Sequence, residues 1–243
     1  MAKKAQALIE AIDVKKDYLM EKVTVNALRG VSLTINKGDF AMIVGPSGSG
    51  KTTLMHILGA LDHPTSGKVL IDGKDITKAE DWQLTLIRRK MVGFIFQTFN
   101  LIPTLTALEN VMIPTEPMNI DENTLLKRSK YLLKVVGLEE RMFHKPSELS
   151  GGQRQRVSIA RSLINDPQII MADEPTGNLD SITGLKIISL LRELNEKEGK
   201  TCVMVTHDQN LLKYATKRVY IVDGKIARIE TGKHEETLSH EIP

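Results

Sequence analysis

Apolar positions recur at a strand-like period over residues 28–35. Leu28, Val31, Leu33 and Ile35 stand there among polar or small partners and predict a half-buried strand. Lys37-Gly38-Asp39 interrupts the pattern. Phe40–Val44 follows as a short, nearly all-apolar run suited to the buried centre of a parallel sheet. A glycine-rich turn then leads into a helix expected over about 51–61. Residues 62–67 read as a loop, and 68–71 with Asp72-Gly73 predict a hairpin. Another strand is expected over 92–96.

The middle of the chain changes period. Leu125, Ser129, Leu132, Leu133 and Val136 share one face of a helix that Gly137 stops. Residues 153–164 repeat that pattern with Val157, Ala160, Leu163 and Ile164. Little between about 98 and 165 reads as strand, so a mostly helical insertion is expected. After Asp166-Pro167 strands return over 169–172, 202–206 and 219–222, separated by helices over 183–197 and 210–214. Strands spaced by helices imply parallel pairing and an α/β fold. From about Thr231 the chain is polar and expected to fray.

Composition narrows the function classes. A 41% hydrophobic chain of 243 residues buries enough surface to fold, so disorder is excluded. The net charge is only +3, which does not mark a nucleic-acid binder. Cys202 is the single cysteine, so no intramolecular disulfide can form; it reads as a small core residue. No apolar run approaches the ~20 residues that span a bilayer, and no secretory h-region follows Met1. A cytoplasmic chain is expected, reaching a membrane only through another protein.

The chemistry concentrates in two places. Gly45-Pro46-Ser47-Gly48-Ser49-Gly50-Lys51-Thr52 satisfies G-x-x-x-x-G-K-[ST] between an expected strand and an expected helix. Its glycines let backbone N–H groups wrap a polyphosphate, and the helix N-terminus, continuing through Thr53, adds its free donors. Lys51 is expected to reach the β- and γ-phosphates, and Thr52 to ligate Mg²⁺. Asp173 and Glu174 end an apolar strand, where open α/β sheets bind ligands. Adjacent residues on a strand point oppositely, so Asp173 is the candidate Mg²⁺ partner and Glu174 the general base.

About one helix before that strand, Ser150 offers a hydroxyl and Gly151-Gly152 expose backbone N–H groups at a helix start. Leu149-Ser150-Gly151-Gly152-Gln153 resembles the signature of ABC-type ATPases. That family's fold is a P-loop NTPase (RecA-like) core with a mostly parallel sheet, an N-terminal antiparallel β region and a helical insertion. The resemblance implies one domain: a nucleotide-binding core of 1–97 and 165–230, a helical signature subdomain of about 98–164, and a polar tail of 231–243.

Other pieces match the same family in order. Gln97 resembles the glutamine that senses Mg²⁺ and water, and Gly177-Asn178-Leu179-Asp180 the loop crossing to a partner subunit. His207 resembles the histidine on the γ-phosphate, and Tyr18 the aromatic residue that stacks on adenine. One site in this family joins the phosphate loop of one subunit to the Ser-Gly-Gly-Gln of another. The resemblance therefore implies ATP and Mg²⁺, an ATP-dependent head-to-tail homodimer, and integral membrane permease subunits as partners, with no nucleic acid.

Residues 97–110 and 172–180 look most like the lipoprotein-releasing and macrolide-export branch. Phe99, Leu101, Ile102, Leu105 and Met112 either line a groove for a membrane partner's helix or belong to the core; both readings stand. A soluble relative acting on DNA or ribosomes is the competing class, but long coiled-coil insertions and tandem cassettes are missing here. A GTPase is disfavoured because it would leave the Ser-Gly-Gly-Gln of residues 150–153 unexplained. Arg88-Arg89-Lys90 reads as a solvated helix end, and His56, His63, His144, His234 and His240 lack metal-ligand spacing.

Overall fold

The computed structural model describes residues 6–20, 23–116, 118 and 120–232. Two long antiparallel strands come first, β1 (Ala7–Met20) and β2 (Val23–Asn36), then β3 (Phe40–Val44) and helix α1 (Lys51–Leu58). The hairpin β4 (Ser66–Ile71) and β5 (Lys74–Asp75) precedes α2 (Asp81–Met91) and β6 (Val92–Ile95). Helices α3 (Ala107–Met112), α4 (Glu122–Val135) and α5 (Gly151–Leu163) follow, joined by 3-10 turns. The chain then runs β7 (Ile169–Asp173), α6 (Ser181–Glu198), β8 (Thr201–Thr206), β9 (Lys217–Val222) and β10 (Lys225–Thr231).

Two sheets result. One is antiparallel in the order β2-β1-β4-β5; the other runs β10-β9-β3-β8-β7-β6. Within the second, β9, β3, β8, β7 and β6 are mutually parallel and β10 turns back antiparallel on β9. The register aligns Val44 with Thr206 and Asp173 with Val205. The segments that leave β3, β7 and β8 therefore emerge side by side at one sheet edge, which is what assembles the site.

The central strand shows why the sheet is buried on both faces. Phe40, Met42 and Val44 enter one apolar cluster with residues of α3, α4, α5 and α6. Ala41 and Ile43 enter the other, with α1 and the inner face of the antiparallel sheet. All five are buried, and complete burial of a large apolar side chain contributes about 1.5–3 kcal/mol.

The expected fold class holds, and among the described residues no strand lies between β6 and β7. Boundaries differ in places for identifiable reasons. α1 stops at Leu58 because Gly59 leaves the helix and Ala60 turns left-handed, with φ 59°. Residues 209–214 form a 3-10 turn, not an α-helix, begun by Asp208 accepting from the Asn210 N–H. The hairpin lies where Asp72-Gly73 placed it, both residues having positive φ as a tight primed turn demands. β1 and the first part of β2 carried no clean alternation, because register shifts break their pairing around residues 11–17. Gly232 is the last described residue, so most of the expected polar tail, with His234 and His240, lies outside the described residues.

Candidate active site

β3 delivers the glycine-rich loop directly onto α1. A Cβ at Gly45 would sit 2.0 Å from the Ile221 carbonyl oxygen, so only glycine lets the loop leave the sheet there. Gly50 is left-handed, with φ 97°, and a Cβ there would lie 2.5 Å from the Ala27 carbonyl. As the N-cap of α1, Gly50 supplies no side chain, whereas Thr106, Asp121, Ser150 and Asp180 each cap their helices. The first-turn donors of α1 are thus left for a ligand. Lys51 Nζ donates to the carbonyls of Gly45 (3.0 Å) and Pro46 (2.8 Å), poised inside the loop. Ser49 Oγ is buried with no hydrogen-bond partner among the described residues.

Two carboxylates face this loop from the end of β7. Thr52 Oγ1 donates to Asp173 Oδ1 at 3.2 Å. Burial pushes the Asp173 carboxyl above its ordinary pKa, and the charge of Glu174 adds to the rise; Thr52, His56 and Lys51 only partly oppose it. Glu174 adopts φ 43° and donates its N–H to the Val205 carbonyl at 3.0 Å. That left-handed turn swings its side chain away from Asp173, and Oε2 lies 3.1 Å from His207 Nδ1. The two acids therefore face different partners, as their adjacency implied.

Other expected residues are placed as follows. The Gln97 side chain stands over Gly177, where a Cβ would be 2.8 Å from Nε2, and the Gln97 backbone carbonyl accepts from Asn178 Nδ2 at 3.0 Å. Among the described residues no hydrogen bond joins Gln97 to Thr52 or Asp173. Tyr18 donates its hydroxyl to Asp62 Oδ2 at 2.8 Å, and Lys16 Nζ lies 4.9 Å from its ring centre. Burial and the Asp62 carboxylate push this phenol's pKa up, while the neighbouring Thr53 hydroxyl pulls it down.

A groove of about 570 Å³ opens at the phosphate loop, lined by Ser47, Gly48, Gly50, Lys51, Thr52, Thr53 and Glu174. Residues 150–153 and Asp180 are not part of it. Ser150 and Gln153 instead form a reciprocal capping box on α5, Ser150 Oγ accepting from the Gln153 N–H at 3.3 Å. Gly152 packs so closely on Thr183 that a Cβ would lie 2.4 Å from its methyl. Asp180 caps α6 through the Thr183 N–H at 2.9 Å, and this bonding holds its carboxyl below its ordinary pKa.

Residues 28–177 match the family model described as ABC transporter. The chain belongs to the ABC transporter family. It is an ATP-binding cassette ATPase. The cassette is 50% identical over 229 residues to the ABC transporter ATP-binding protein MJ0796 of Methanocaldococcus jannaschii, covering 92% of this chain and 97% of that one. A dimeric MJ0796 structure in a post-hydrolysis state, bound to ADP and Pi, superposes with TM-score 0.86 over 94% of this chain and 100% of that chain, at 46% identity. The lipoprotein-releasing system ATP-binding protein LolD of Syntrophus aciditrophicus is 45% identical over 90% of this chain and 98% of its own. The macrolide export ATP-binding/permease protein MacB of Syntrophobacter fumaroxidans is 47% identical over 90% of this chain, which spans 31% of that longer protein.

The cassette also recruits residues the sequence reading passed over. Thr24, Val25, Asn26 and Arg29 of β2 line the groove, as do Asp223 and Gly224 of the β9–β10 turn. The Ala27 carbonyl would meet a Cβ at either Gly50 (2.5 Å) or Gly224 (2.7 Å), so β2 is wedged between two glycines. Asp223-Gly224 carries the same turn signal as Asp72-Gly73 and was legible in principle. The start of β2 carried none. Of the residues weighed as groove or core, Leu101 and Met112 pack against the core cluster.

Oxygen donors suit Mg²⁺, which takes one or two carboxylates and completes its shell with water and substrate phosphates. Thr52 and a half-buried, pKa-raised Asp173 at 3.2 Å form such a partial set. No group of three or more His, Cys, Asp or Glu among the described residues would hold a metal unaided.

Proposed function

We propose that the cassette closes with a second copy of itself over Mg²⁺–ATP, head to tail, and that closure and hydrolysis drive a conformational change in a separate integral membrane partner. One observation carries this reading. The uncapped phosphate groove and the Ser150–Gln153 segment are separate on one chain, each a half-site of the kind that a γ-phosphate bridges. The MJ0796 relative is described as a dimer with ADP and Pi, the LolD name describes a lipoprotein-releasing system, and the MacB name a macrolide export ATP-binding/permease protein.

In this reading Gly45–Gly50 and the first turn of α1, through Thr53, hold the phosphates, and Lys51 swings from its carbonyls onto the β- and γ-oxygens. Thr52, Asp173 and Gln97 would hold Mg²⁺, which would neutralise charge on the phosphate oxygens. Glu174 takes a proton from water as its oxygen attacks the γ-phosphorus and the bond to the bridging oxygen breaks, releasing ADP. His207 steadies Glu174 and faces the γ-phosphate. Ser150, Gly151, Gly152, Gln153 and Asp180 serve the partner copy's nucleotide, and Tyr18 the adenine.

The core is 1–97 and 165–230, and the helices of about 98–164 form the signature subdomain that moves against it. No helix among the described residues is long and apolar enough to cross a membrane. In this reading the partner holds the cassette at the cytoplasmic face.

Mixing variants tests the composite site. Lys51→Ala disables the phosphate loop. Gly151→Asp, at a position whose Cβ would meet the Leu179 side chain at 3.3 Å and the Asn178 carbonyl at 3.9 Å, sets a negative charge against the partner's phosphate. Each protein alone is expected to be inactive, and their mixture to regain ATPase activity, because one hybrid site is intact. A mixture as inactive as its components contradicts the proposal.

A further inference from the structure

The turn after Gln97 is held in an unfavourable shape. Phe99 and Asn100 are consecutive non-glycine residues in the left-handed region, at φ 62° and 47°. Such a pair persists only where its surroundings over-determine it. Here the surroundings are α5, the helix that begins at Gly151. Arg161 donates through Nη2 to the Phe99 carbonyl at 2.7 Å and through Nη1 to the Asn100 carbonyl. Arg154, two turns earlier on the same helix face, places its guanidinium 5.2 Å from the Phe99 ring centre. The next residue, Gln155, donates to the Pro175 carbonyl at 2.7 Å, directly after Glu174.

One helix thus grips both turns that carry the candidate water-handling residues. The two carbonyls converge on a single guanidinium only because both residues are left-handed, so the fork and the strained turn select each other. We propose that Arg161 is a positioning residue for ATP hydrolysis, fixing the turn after Gln97 so that movement of the signature helix and placement of the Gln97 amide are one event. This rests on the role assigned to Gln97 above. Arg161 does not line the nucleotide groove, so its loss acts on the chemical step and not on ATP affinity.

The test is a double-mutant cycle on the full chain, with kcat, KM and Tm read for Arg161→Ala, Arg161→Lys, Gln97→Ala and the double variant. Arg161→Ala is expected to lower kcat about 10- to 100-fold, the scale of a small misplacement, with KM within about two-fold. Lysine, a point charge without the planar fork, recovers little, and serves as the comparison should alanine unfold the chain. In the Gln97→Ala background, Arg161→Ala is expected to cost less than about two-fold more, because the pair acts as a unit. An impaired Gln97→Ala with a fully additive Arg161→Ala overturns the proposal while sparing the role of Gln97. A normal kcat for Gln97→Ala removes that role and the proposal with it.

Discussion

His207 Nδ1 lies 3.1 Å from Glu174 Oε2, although the two residues leave different strands, β8 and β7. The parallel register that pairs Asp173 with Val205 makes this contact, and the Glu174 N–H on the Val205 carbonyl fixes it. His207→Ala should therefore lower kcat about 10- to 100-fold while ATP affinity changes little, since general-base alignment is lost and the phosphate loop is intact. Steady-state ATPase assays beside nucleotide titration check this; an equal loss in both would contradict it.

Lys51 is held by two carbonyls of its own loop and is only 8% exposed. Lys51→Ala should weaken ATP binding about 10- to 100-fold, the range of one or two charge-assisted hydrogen bonds. Calorimetric titration of ATP reads it directly, and unchanged affinity would remove Lys51 from the phosphate site.

Gly45 has no room for a methyl group, because the Ile221 carbonyl stands 2.0 Å from where a Cβ would be. Gly45→Ala should destabilise the fold by about 1–3 kcal/mol, with about 2–4 °C of Tm lost per kcal/mol in a chain of this size. Gly48→Ala meets no neighbouring atom within 4 Å, so its cost comes from its φ of 76° alone. Thermal melts of the two variants separate crowding from backbone strain.

Asp173 carries a stability penalty. Burial raises its folded pKa above the ordinary 3.8, so its ionisation weakens the fold as pH climbs from that ordinary value through the raised one. Asp173→Asn should melt higher than the native protein at neutral pH without nucleotide. The gap should close as pH falls and Asp173 becomes neutral. With Mg²⁺ and ATP the order should reverse, because asparagine offers no charge to the metal. Melting curves across pH, with and without Mg²⁺–ATP, measure all three.

Much of this was legible in the sequence where local chemistry and long-range pairing agree. Phe40–Val44 is apolar on both faces because helices cover both, and the glycine loop after it fits no other use so well. That Asp173 and Glu174 face different partners was expected from strand alternation, but it is the left-handed turn at Glu174, just past the strand end, that separates them. What escaped depends on pairing that a single pattern does not encode. The bulged β1 has lost its alternation, and Thr24–Asn26 line the groove only because Ala27 is wedged against Gly50 and Gly224. The grip of Arg161 on the turn at Phe99 was equally hidden. It depends on two left-handed residues that the side-chain pattern does not announce.

The central claim is that a triphosphate joins two copies of this chain. Sedimentation velocity of Glu174→Gln, which keeps the groove but lacks the base, tests it most directly. With Mg²⁺–ATP the protein should sediment as a stable dimer, and with ADP as a monomer. A Glu174→Gln protein that stays monomeric with saturating ATP, or hydrolyses it at the native rate, would contradict the account.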